Sequence, residues 1–80
     1  MNKAEMLETM KTLIIEVQKE QQKAIECQER IIRICKDGKA NPNRIQWEMN
    51  ELKRLKDWMA TSQQANELKL KEVEEANKLQ

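Results

Sequence analysis

The sequence predicts an all-α protein in which two long antiparallel helices form a helical hairpin, and two copies form a homodimeric four-helix bundle. Three observations predict this. Apolar residues recur at helical spacing on both sides of the only glycine and the only proline among 80 residues. That glycine and proline stand in the order that ends one helix and begins another. A single domain of residues 1–80 also buries a modest fraction of its surface, so a lone hairpin would be marginal.

The first helix is predicted over residues 3–36. Asn2 and Glu5 match a capping box, in which Asn2 is the N-cap and Glu5 follows three residues later. Met1 and Met6 are placed to form the accompanying hydrophobic staple. These features set the start of the helix.

The apolar residues of this helix fall within an arc of about 120°, which is wide enough to contact two neighbours. Gln21 and Gln28 interrupt the arc at mid-helix, and such polar layers are register-setting devices or hydrated positions. Two contacting neighbours are what a bundle requires. The apolar residues of the arc are Met6, Leu7, Met10, Leu13, Ile14, Val17, Ala24, Ile25, Ile31, Ile32 and Cys35.

The turn is predicted over residues 37–42. Gly38 has no Cβ, so we expect it to take the left-handed conformation that closes a helix. Asn41 or Asn43 can cap the next helix, and Pro42 suits its first turn because no amide donor is needed there.

The second helix is predicted over residues 43–78. Thr61 begins a second capping-box pattern, which would allow a break there, but no other helix breaker supports one and we favour continuity. Apolar residues become sparse after Ala65, so we expect this end to fray unless something packs on it. The predicted oligomer core of both helices is Leu7, Met10, Ile14, Val17, Ile25, Ile32, Leu52, Leu55 and Met59.

The two tryptophans indicate a contact surface. Trp47 and Trp58 are eleven residues apart, which returns to within ~20° of the same direction on a helix, away from the predicted core. Ala65 follows on that line, and Glu51 and Arg54 lie between the rings. Tryptophan is enriched at interface anchors. We therefore predict a partner-binding surface, either the homodimer's own interface or that of an external protein; rings lying across a shifted core are the alternative.

Charge is distributed unevenly although the formal net charge is +1. Residues 1–29 carry −2, residues 30–56 carry +5 and residues 57–80 carry −2. A basic turn end attracts phosphates, but these cations also offset the dipole of the first helix, and nucleic-acid binders are usually basic throughout. The predicted basic patch comprises Arg30, Arg33, Lys36, Lys39, Arg44, Lys53 and Lys56.

The residue types argue against catalysis, a cofactor or a metal ion. Histidine is absent, and one glycine cannot form a glycine-rich phosphate loop. Cys27 and Cys35 lack the spacing of a zinc or redox motif, so we expect reduced thiols, with a cross-subunit disulfide as the alternative. No apolar run approaches the ~20 residues that span a bilayer and no signal-peptide pattern opens the chain, which favours a cytoplasmic protein.

These observations favour a non-enzymatic adaptor, regulator or inhibitor that binds a protein partner through a helical face, of the kind often encoded by bacteria or their phages. One alternative is a nucleic-acid-binding dimer that uses the basic turn end. Another is a structural coiled-coil or scaffold component.

Overall fold

A computed structural model describes residues 2–78, apart from the side chain of Asn77. Two helices, α1 (Lys3–Asp37) and α2 (Pro42–Lys78), pack against each other, and their Cα atoms extend over 61 × 16 × 11 Å. The predicted all-α class and the helical hairpin are confirmed. Met1, which was expected to pack on Met6, lies outside the described residues.

The start of α1 follows the predicted capping pattern. The backbone N–H of Glu5 donates to Oδ1 of Asn2 at 2.8 Å, and the Asn2 side-chain amide donates to Oε1 of Glu5 at 3.0 Å. The reciprocal pair satisfies one of the free N–H groups of the first turn.

The end of α1 differs from the prediction at one residue. Gly38 has a φ of −81°, so the expectation that it is left-handed is wrong; Lys39 takes that conformation, with a φ of 55°. The reason is that α1 continues through Asp37, which moves the closing position one residue along. The N–H groups of Lys39 and Ala40 then donate to the carbonyls of Lys36 and Cys35, at 3.1 and 2.8 Å, as in a Schellman motif.

The start of α2 is capped by Asn41. Its Oδ1 accepts from the N–H of Asn43 at 2.8 Å, and Pro42 is the first helical residue, where its missing N–H costs nothing. The helix then runs through Thr61 as one element and continues to Lys78. Both arms are therefore long enough to face each other along most of their length.

The interior of the hairpin is narrow. Among the described residues, the buried apolar side chains are Ile25 and Ile32. Val17, which was predicted to belong to the oligomer core, is exposed within the single hairpin. The other predicted core positions are half-buried: Leu7, Met10, Ile14, Leu52, Leu55 and Met59.

Polar side chains occupy much of this interior. Nε2 of Gln28 donates to both the backbone carbonyl and Oε1 of Glu48, each at 2.9 Å, and Arg44 contacts the other carboxylate oxygen of Glu48 at 2.9 Å. Glu48 is 4% exposed, so these contacts compensate the burial of its charge. Gln21 is 1% exposed, and its side-chain nitrogen and oxygen have no hydrogen-bond partner among the described residues.

The two buried glutamines should therefore respond oppositely to the same substitution. Gln21→Leu removes an unpaired amide and should raise the free energy of unfolding by about 1 kcal/mol. Gln28→Leu removes the donor to Oε1 of the buried Glu48 and leaves the carboxylate only its contact with Arg44, so it should lower the free energy of unfolding by about 2 kcal/mol. Urea denaturation at a fixed chain concentration measures both, and equal shifts of the same sign would contradict this account of the interior.

Replacement of Lys39 by glycine should stabilise the hairpin. A left-handed residue with a Cβ costs about 1 kcal/mol, so Lys39→Gly should raise the free energy of unfolding by about that amount. Lys39→Ala removes the same charge but keeps the Cβ, and it should leave the free energy nearly unchanged. If both variants gain equally in urea denaturation, charge rather than backbone conformation is the cause.

Candidate functional site

A row of apolar side chains follows α1 outside the hairpin interior. Its positions alternate steps of four and three residues, which is the spacing of a helix–helix contact seam. Leu13 is 55% exposed and Ile34 is 70% exposed, and only Glu20 is polar. The row is Met6, Met10, Leu13, Val17, Glu20, Ala24, Cys27, Ile31 and Ile34.

A second row with the same spacing follows α2. Trp47 and Trp58 are 53% and 49% exposed, and Leu68 is 59% exposed. The row contains the five residues predicted as a partner-binding surface and two further residues, and it reads Trp47, Glu51, Arg54, Trp58, Thr61, Ala65 and Leu68.

Both rows lie on one side of the hairpin. Trp58 lines a groove together with Leu13, Val17 and Glu20, so the middle of the α2 row meets the middle of the α1 row. The groove has a volume of about 580 Å³. We call the surface formed by the two rows the apolar face.

The two charged residues of the α2 row, Glu51 and Arg54, neutralise each other. Nη2 of Arg54 lies 2.8 Å from Oε2 of Glu51, and its Nε donates to both carboxylate oxygens at 3.3 Å. The hydrogen bond from Arg54 lowers the pKa of the Glu51 carboxyl, partial desolvation opposes this shift, and the charge of Arg54 adds to it. The same hydrogen bond raises the pKa of Arg54. The surface between the tryptophans is thus polar but without net charge.

Trp47 is connected to the hairpin interior through Arg44. The guanidinium of Arg44 lies 5.1 Å from the centre of the Trp47 ring and also binds Glu48. This distance is that of a cation–π contact. Trp47 therefore lies on the apolar face and also contacts the guanidinium that pairs with Glu48.

A second groove, which we call the basic groove, lies on the opposite side of the hairpin. On α1, Arg33 and Ile31 lie 100° to either side of the buried Ile32, so they point to opposite sides of the hairpin. Lys53 and Glu51 flank Leu52 on α2 in the same way. Because Ile31 and Glu51 belong to the apolar face, Arg33 and Lys53 lie on the other side. The groove has a volume of about 540 Å³ and is lined by Glu29, Ile32, Arg33, Lys36, Met49, Leu52, Lys53, Lys56 and Asp57.

The structure divides the predicted basic patch. Four of its members, Arg33, Lys36, Lys53 and Lys56, line the basic groove. Arg44 is engaged with Glu48 and Trp47, while Arg30 and Lys39 are exposed outside the groove. The cluster is therefore smaller and more localised than the sequence indicated.

Two features of these surfaces were missed by the sequence reasoning. Glu48 was counted only as a charge, although it is buried and organises the turn end of the interior. Leu68 of the apolar face and Met49 of the basic groove were not recognised as exposed apolar residues. The spacing from Trp58 would have revealed Leu68. The steps of three and four residues from Ile45 to Glu48 and on to Leu52 place Glu48 on the inner side of α2, but nothing in the sequence signals its contact with Gln28.

Within residues 2–78, no group of three or more Cys, Asp or Glu side chains is arranged to hold a metal ion. Neither helix, as far as it is described, has a stretch long and apolar enough to cross a bilayer. Comparison of the chain with protein families, curated proteins and solved structures finds no match.

Proposed function

We propose that this chain is a non-enzymatic protein-binding protein, an adaptor, regulator or inhibitor, that acts as a homodimer in the cytoplasm. One observation carries the proposal. The apolar face follows both helices, with polar interruptions at Glu20, Glu51, Arg54 and Thr61, and the described chain leaves most of its apolar side chains exposed.

The physical argument rests on how little the hairpin buries alone. Ile25 and Ile32 are its buried apolar side chains among the described residues, while Leu13, Ile34 and Leu68 each leave more than half of their surface in water. Burying one large apolar side chain contributes ~1.5–3 kcal/mol. The α1 row runs over 28 residues, or ~42 Å, and the hairpin is 16 Å wide, so the apolar face covers roughly 670 Å², close to the ~800 Å² that a standard interface needs on each partner.

A second copy fits this face in an antiparallel orientation. The row of α1 is centred on Glu20, the row of α2 is centred near Trp58, and these two residues line the same groove. A twofold axis at the level of Glu20 and Trp58 therefore relates each row to its own copy. α1 then packs on α1 of the partner, and α2 packs on α2 of the partner.

Charge favours the same arrangement. The basic turn end of each hairpin would lie beside the acidic open end of the other, since residues 30–56 carry +5 and the flanking segments carry −2 each. Glu16 lies four residues before Glu20, and Lys23 lies three residues after it. Across the twofold axis, Glu16 of one copy would therefore approach Lys23 of the other copy. Glu20 already pairs with Lys23 at 3.7 Å, which balances its charge near the axis.

The solution mass tests the homodimer. Light scattering after size exclusion should give twice 9.5 kDa over a wide range of concentration. Leu13→Glu should raise the dimer dissociation constant by about a hundredfold or more, because each dimer would bury two carboxylates among apolar groups. Ile15→Glu is the matched control, since Ile15 is 51% exposed but lies off the apolar face, and it should remain dimeric.

A monomeric wild type would refute the dimer, and equal behaviour of the two variants would place the interface elsewhere. Assembly beyond a dimer would favour the scaffold alternative.

Disulfide trapping tests the register. Residues 13 and 27 are equidistant from Glu20, so Leu13→Cys in a Cys35→Ser background should form cross-links to Cys27 of the partner under mild oxidation. The wild type should not cross-link, because antiparallel pairing holds the two Cys27 side chains about 14 residues, or ~21 Å, apart. Rapid Cys27–Cys27 cross-linking of the wild type would contradict the antiparallel arrangement.

A further inference from the structure

The basic groove combines unneutralised cations with an apolar floor. Arg33 and Lys36 of α1 line it together with Lys53 and Lys56 of α2. In the part of the chain that the structure describes, none of these four cations forms an ion pair. Four like charges at one groove repel one another, so an anionic occupant would relieve this repulsion.

The floor of the groove offers apolar contact. Ile32 is nearly buried, Leu52 is half-buried and Met49 is 44% exposed. A methionine at such a site adapts to varied apolar side chains because it is unbranched and flexible. The aliphatic stems of the flanking lysines extend the apolar surface. The groove therefore suits a ligand with apolar and anionic groups side by side.

The groove is not uniformly positive. Glu29 and Asp57 also line it, four residues before Arg33 on α1 and four residues after Lys53 on α2. Four cations and two anions give the lining a net charge of +2 (4 − 2).

We propose that the basic groove binds an acidic amphipathic helix of a partner protein, as a third helix lying along α1 and α2. Apolar residues three and four apart on that helix contact Ile32, Met49 and Leu52, while its carboxylates contact the four cations. This proposal names the partner chemistry of the protein-binding function proposed above and rests on that function.

A protein helix fits the groove better than a nucleic acid does. Trp47 and Trp58 lie on the opposite side of the hairpin, so the groove has no aromatic platform on which a base could stack. A phosphate backbone carries a charge at every nucleotide and would meet Glu29 and Asp57, whereas a helix can place uncharged residues opposite them. In the proposed dimer both basic grooves stay on the outer surface and remain accessible.

Fluorescence anisotropy of the full chain with a labelled peptide tests the proposal. The probe is a capped helical peptide of leucine, alanine and glutamate with its leucines on one face; the comparison peptide has the same composition with the leucines scattered. We expect saturable micromolar binding of the first and at least about tenfold weaker binding of the second, since only the first presents apolar residues to the floor. No saturable binding, or equal affinity for both peptides, would overturn the proposal.

Two charge-reversal variants locate the site. Lys36→Glu with Lys53→Glu should weaken peptide binding about tenfold or more, because attraction becomes repulsion at the groove. Arg30→Glu with Lys69→Glu makes the same change of net charge at exposed positions outside the groove and should change the affinity less than about twofold. Equal losses in both pairs would mean that net charge alone binds the peptide, which would overturn the site.

Two further measurements separate this proposal from its rivals. A single-stranded oligonucleotide of the same charge should compete weakly with the peptide; stronger binding of the oligonucleotide than of the peptide would overturn the proposal in favour of nucleic acid. Light scattering on each variant reports the dimer independently. If monomeric Leu13→Glu still binds the peptide, the groove is upheld and dimerisation is not required for binding. If the wild type is a dimer but binds no peptide, the dimer is upheld and the groove proposal is overturned.

Discussion

The constraint on which the structure depends is that α1 carries two apolar rows and the chain provides one helix to cover them. The inner row, which contains Ile25 and Ile32, faces α2. The outer row from Met6 to Ile34 is displaced by roughly 90° around the helix axis and stays largely exposed, although Trp58 of α2 adjoins its middle. A two-helix hairpin cannot cover both rows, because a helix pair shares one seam. The outer row is therefore the feature from which any account of assembly has to begin.

The polar interior makes this need stronger. Gln21, Gln28 and Glu48 occupy positions that an ordinary bundle would fill with leucine or isoleucine. The contact of Gln28 with Glu48 joins the two helices and fixes how far one slides along the other, while Arg44, four residues before Glu48 on α2, pairs with the carboxylate. Such a network fixes the register of the two helices but adds little to the free energy of folding, because the cost of burying Glu48 offsets much of what the contacts contribute. The hairpin thus has a defined alignment with few buried apolar side chains of its own.

The sequence was sufficient for features set by neighbouring residues. The Asn2–Glu5 cap, the Asn41–Pro42 start and the helical spacing depend on short-range chemistry, and each is present. The exchange of roles between Gly38 and Lys39 was missed because a shift of one residue in the end of α1 moves the left-handed position. The burial of Glu48 depends on Gln28, twenty residues away, and no local pattern encodes that contact. The division of the cations likewise depends on which side of each helix faces its neighbour.

The two sides of the hairpin differ in the chemistry they offer, and this difference separates assembly from recognition. The side with Trp47 and Trp58 is broad, apolar and locally neutral, because Glu51 and Arg54 pair with each other. Such a surface gains by excluding water over its whole length and imposes little charge selection on its partner, which suits an identical copy. The side with Arg33, Lys36, Lys53 and Lys56 is short, and none of these cations forms an ion pair within the described residues. A surface of that kind selects by sign and accelerates encounter, which suits a transient and different partner. Because the two surfaces lie on opposite sides, occupation of one leaves the other open, and a dimer built on the apolar face would present two basic grooves pointing in opposite directions.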